Sequence, residues 1–90
     1  MSIRTNIAGV FACPLAKEPM KAMVEGDAYQ WKAEPENQYD PNAIAIYIGE
    51  TKAGFIPRKI ASEIKADDID AIKKTGQWDG IEIFLKGEDQ

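Results

Sequence analysis

Apolar positions along this chain come in short runs, most of them with a period of two. Ile3 to Ala12 mixes Ile, Thr, Val and Phe around Gly9, which predicts a first strand with a bulge or tight bend at the glycine. Cys13-Pro14 ends it. Leu15, Met20, Met23 and Val24 are spaced to face a core from either a short helical turn or a loop. Gly26-Asp27 signals a turn. Ala28 to Ala33 then sets Tyr29, Trp31 and Ala33 against Gln30 and Lys32, the alternation of a half-exposed strand.

Glu34 to Asn42 is polar and turn-forming, and Ala43 to Ile48 is strand-like and apolar on both faces, as in a closed barrel or a covered sheet. A short connection, Gly49 to Lys52, leads to a returning strand at Ala53 to Ile56, and the two strands read as a hairpin. Pro57 suits the first turn of a helix, whose apolar stripe is Ile60, Ala61 and Ile64. Asp67 and Asp68 can cap a second helix carrying Ile69 and Ile72, with Lys73 and Lys74 at its end and Gly76 as its stop. Trp78 to Lys86 closes the chain with alternation at Ile81, Ile83 and Leu85, before the polar Gly87-Glu88-Asp89-Gln90. The expected fold is mainly β: five to six strands in a small OB-like or SH3-like barrel, with two short helices between the fourth strand and the last.

The 90 residues read as a single domain, 1–90, of ordinary globular composition at 44% hydrophobic. No apolar run approaches the ~20 residues of a membrane span, and MSIRTN lacks a secretory core. A lone cysteine, Cys13, fits a reducing cytoplasm and builds neither a disulfide nor a zinc site. No histidine is present, which removes the commonest general base and transition-metal ligand. Glu34 and Glu36 sit in a polar turn with nothing to raise a pKa, so neither an enzyme nor a cofactor is expected. The net charge of −4 argues against broad electrostatic binding to duplex DNA.

Asp40-Pro41-Asn42 is explicable as a turn alone, with Asp40 capping backbone N–H groups. Arg58 stands at a helix start, against the dipole, so it calls for an anionic partner: a phosphate, or Glu36 or Asp40. Tyr29 and Trp31 read as core or cleft wall, Trp78 as packing, and Lys59, Lys65, Lys73 and Lys74 as solvated helix faces.

Two linked motifs narrow the choice. "EPENQYDPNAIAIY" followed by "KAGFIPRKIASEI" strongly resembles the HIRAN domain. The matching residues are Glu34, Pro35, Asn37, Tyr39, Asp40, Asn42, Ala43 and Ile44, then Gly54, Phe55, Ile56, Pro57, Arg58 and Ala61. The resemblance implies a modified OB-like barrel that binds single-stranded DNA without catalysis, capturing a free 3′ end in DNA repair. Fork-remodelling translocases carry the domain beside a motor, and stand-alone short copies also occur; this chain reads as one of the latter. By carry-over, Asp40 receives the 3′-hydroxyl, Asn37 and Tyr39 hold the terminal nucleotide, and Arg58 meets a phosphate. Phe55 lies beside the strand, with Lys59 as a neighbouring cation. The relatives' basic-aromatic cluster after the first-strand glycine is replaced here by Val10, Phe11, Ala12 and Cys13, so Phe11 substitutes only in part.

The acidic balance and that depleted first strand support an alternative from another class: a protein-interaction or inhibitor module, of phage or mobile-element type, on the same barrel. An accessory subunit lending end recognition to a nuclease or helicase is a third option.

Overall fold

The computed structural model describes residues 1–87, among which six strands form: β1 Ser2–Asn6, β2 Ala28–Ala33, β3 Ile44–Ile48, β4 Thr51–Phe55, β5 Ile69–Lys74 and β6 Gly80–Leu85. They pair antiparallel in the order β1-β6-β5-β2-β3-β4. The sheet curls until its ends meet. Just beyond β1, Ala8 exchanges two backbone hydrogen bonds with Phe55 at the end of β4, both 2.8 Å long. The result is a mainly β, OB-like half-barrel, as the sequence leads one to expect.

Gly54 makes that closure possible. A Cβ there would lie 2.5 Å from the Ala8 carbonyl oxygen and 2.5 Å from the Ile7 side chain. Its φ of +151° is also one that side-chain-bearing residues rarely adopt.

Inside the curl, Ile7, Ile44, Ile46, Ile72, Ile81 and Ile83 are buried. Tyr29 is buried with them, and desolvation pushes its phenol up to about 12. Trp31 is half-buried and donates its indole N–H to the Ala66 carbonyl at 3.1 Å. One end of the core is sealed by α1, Lys17–Ala22, through Met20. The ambiguous stretch from Leu15 to Val24 is thus helical in its middle, with Leu15 and Val24 themselves exposed. A second helix, α2, spans Arg58–Ala61, and Ala61 N–H bonds back to Pro57.

Three expectations require correction. The stretch predicted as a helix after Asp67 is strand β5. Its register slips between Ile69 and Ala71, where β5 carries an extra residue against β6. That bulge lets Ile69 and Ile72, three apart, both enter the core, which imitates helical spacing. Asp67 and Asp68 instead belong to a 3-10 turn, Ala66–Asp68, in which Asp68 accepts the Lys65 N–H. Only one of the two helices therefore lies between β4 and the last strand.

The first strand stops at Asn6 rather than Ala12. Gly9, at φ +73°, reverses the chain into 3-10 turns at Val10–Ala12 and Pro14–Ala16. Lys74, expected on a solvated helix face, is buried on β5 and donates to the Gln77 carbonyl at 2.6 Å. Of the polar tail, Glu88 to Gln90 lie outside the described residues. No described helix is long and apolar enough to cross a membrane.

Candidate functional site

The turn between β2 and β3 is organised by one side chain. Asn37 Oδ1 accepts the backbone N–H of Tyr39 at 2.8 Å and of Asp40 at 3.0 Å, while its Nδ2 donates to Glu34 Oε1 at 3.0 Å. Asp40 continues the pattern: its Oδ1 accepts the Asn42 N–H at 2.9 Å, and its carbonyl accepts the Ala43 N–H. Short polar side chains that bond to backbone two or three residues on fix such a bend without a helix or ladder. With the backbone held this way, the Tyr39 side chain projects into solvent, 88% exposed.

Two cations face this turn. Arg58, the first residue of α2, places Nε 3.7 Å from Asp40 Oδ2. Of the two acids named as its partners, Asp40 takes it. Lys52 on β4 places Nζ 2.6 Å from Glu34 Oε2 and 5.0 Å from the centroid of the Phe55 ring. The Lys52 bond, helped by Asn37, holds the Glu34 carboxyl below its usual range, and Glu34 in turn raises the Lys52 ammonium. Beneath them the Ala8–Phe55 backbone pair forms the floor, and a Cβ on Gly9 would sit 3.6 Å from the Phe55 ring. Together these residues line an open hollow of about 470 Å³. It presents a carboxylate oxygen, two cations, an exposed phenol and a half-buried aromatic ring, all suited to a small polar ligand with anionic and flat aromatic parts.

The family model of the HIRAN domain matches residues 2–66. The chain belongs to the HIRAN family. Every residue lining the hollow, Ala8 through Arg58, falls inside that match, whereas β5 and β6 lie beyond it. HIRAN domains are nucleic-acid-binding modules. No curated protein and no solved structure matches the chain.

Of the residues singled out in the sequence, this HIRAN domain brings Asn37, Tyr39, Asp40, Phe55 and Arg58 to one hollow. Phe11 is elsewhere. It is 93% exposed on the 3-10 turn after Gly9 and lines a separate apolar hollow of about 200 Å³ with Pro14, Met20 and Trp78. Lys59 is exposed on α2, outside the lining of the larger hollow. Among the described residues no group of three His, Cys, Asp or Glu side chains could hold a metal ion.

Lys52 has no role in the sequence expectation, where Glu34 figures only as a turn acid and a motif residue. The signal was hidden by a second bulge: Tyr47 faces Lys52 and Ile46 faces Gly54, leaving Ala53 as an extra residue. Strict alternation puts Lys52 and Phe55 on opposite faces; the bulge brings both to the hollow.

Proposed function

We propose that this HIRAN domain binds single-stranded DNA at its 3′-hydroxyl end and does no chemistry on it. The observation that carries this reading is the Asp40–Arg58 pair at the hollow's edge. Asp40 Oδ1 is committed to Asn42, which leaves Oδ2 for an outside donor. A terminal hydroxyl donates to Oδ2 and displaces Arg58, whose guanidinium then meets the phosphate of the same nucleotide. Little opposes that exchange: the Arg58 side chain is 79% exposed, and ion pairs so open to solvent contribute at most about 1 kcal/mol. Tyr39 and Phe55 supply faces for a base, each stack worth ~1–3 kcal/mol. An internal phosphodiester at this point sets negative charge against Asp40, so discrimination for an end rests partly on repulsion.

Fluorescence anisotropy with single strands ending in 3′-hydroxyl or 3′-phosphate, and with a blunt duplex, tests this. Expected are binding of the hydroxyl end, at least tenfold weaker binding of the phosphate end, and weakening by Asp40→Ala, losses typical of charged hydrogen bonds. Equal affinity for the two ends overturns end recognition.

A second reading, as a protein-interaction module, is favoured by the apolar surface of Phe11, Leu15 and Trp78, which are 93%, 84% and 38% exposed. No binding to any single strand turns the assignment toward it.

A further inference from the structure

We infer that Lys52 is a phosphate ligand of this site, with Glu34 as the positioning residue that holds its ammonium in the hollow. The inference deepens the single-strand reading above and rests on it.

Lys52 reaches the hollow because of the β4 bulge and stops there because Glu34 Oε2 takes one of its N–H donors at 2.6 Å. An ammonium has three donors. Glu34 uses one, and the ring of Phe55 lies 5.0 Å from Nζ, which leaves donor capacity toward the open side. The Lys52 side chain is 35% exposed, so the group is neither sealed in nor free to wander.

The charge balance of the hollow points the same way. Glu34, Asp40, Lys52 and Arg58 sum to zero within a chain of net charge −4, so an approaching phosphate meets a locally neutral surface rather than an acidic one. A strand engaged through Arg58 alone gains one positive contact while bringing its remaining phosphates toward an acidic protein. Lys52 beside the Phe55 face offers the second contact, a cation adjacent to an aromatic plane, in the arrangement single-strand binders use for neighbouring phosphate and base. Because Lys52 keeps Glu34 while binding phosphate, the contact forms without leaving a bare carboxylate behind.

The test is anisotropy with a 5′-labelled oligothymidine bearing a free 3′-hydroxyl, titrated between about 50 and 200 mM salt. Lys52→Met is expected to weaken binding about tenfold at the low-salt end and to make the log–log salt slope shallower by about 0.7, the share of one phosphate on a single strand. Lys52→Arg, which keeps the charge, is expected to retain the slope. Should circular dichroism show that Lys52→Met does not fold, Lys52→Gln, which still donates to Glu34, carries the same comparison. A variant that binds weakly with an unchanged slope makes Lys52 a structural prop and overturns the inference alone. Failure of the wild type to bind the oligothymidine overturns the single-strand reading, and Lys52's role with it.

Discussion

Asn37 directs both ends of its carboxamide into the turn that carries Tyr39 and Asp40, and Glu34 fixes which end points where. Glu34 Oε1 accepts from Asn37 Nδ2, so Asn37 Oδ1 is turned to the two backbone N–H groups. Protonating Glu34 withdraws a charge-assisted acceptor and loosens that orientation. Its folded-state pKa lies below the ordinary 4.5, chiefly through Lys52. The resulting stabilisation is present above about 4.5 and lost as pH falls through the lower folded value. Lys52, raised from 10.5 by the same bond, keeps its contribution below that value and loses it only as pH rises further. The window between is flat. Both side chains are partly exposed, at 22% and 35%, so the pair contributes no more than about 1 kcal/mol. The Tyr39 and Asp40 amide resonances are therefore expected to hold still from about pH 7 to 5 and to move below 4.5, with that acid movement attenuated in Glu34→Gln. Movement already complete at about pH 6 would show that another group controls the turn.

Strand β4 carries most of the coupling between fold and site. Lys52, Gly54 and Phe55 give it, in order, a cation in the hollow, the close approach that closes the curl, and the backbone pair beneath the hollow. Gly54→Ala is expected to destabilise the protein by about 2–4 kcal/mol, since the new methyl meets backbone that cannot rotate away. Thermal denaturation measures this, with Gly76→Ala, which meets open space, as the control. Single-strand binding should fall together with stability, because moving Phe55 from Ala8 tilts the site's floor. Normal stability in Gly54→Ala would mean that the end of the curl is soft.

The β3–β4 hairpin and the short helix that follows Pro57 are legible in the sequence because turn chemistry and apolar alternation agree there. Strand β5 and Lys52 were not, for one shared reason. A bulge inserts a residue without any mark in composition, and every side chain beyond it changes face relative to strict alternation. The displacement of Phe11 has another cause: Gly9 predicts a bend, but the direction in which it throws Val10 to Ala12 is set by contact with β4, a tertiary effect.

At the scale of the whole molecule, charge limits how such a domain can hold a polyanion. With a net charge of −4 it has no broad positive field to steer or retain a strand, so on the proposed reading affinity rests on stacking, on the terminal hydroxyl and on the few cations in the hollow. Lys52 and Arg58 are the cations lining it, which limits phosphate contacts made there to about two. At about 0.7 per phosphate on a single strand, the log–log salt slope is expected to lie between about −0.7 and −1.4. Raising salt from about 50 to 200 mM should then weaken binding only about three- to sevenfold, whereas a protein making many phosphate contacts loses several orders of magnitude over the same range. Salt-dependent anisotropy of the wild type decides the matter. A loss near a hundredfold would require more neutralised phosphates than this hollow can hold. The strand would then have to reach cations outside the hollow, such as Lys59 beside Arg58 on α2 and Lys17 at the smaller apolar hollow.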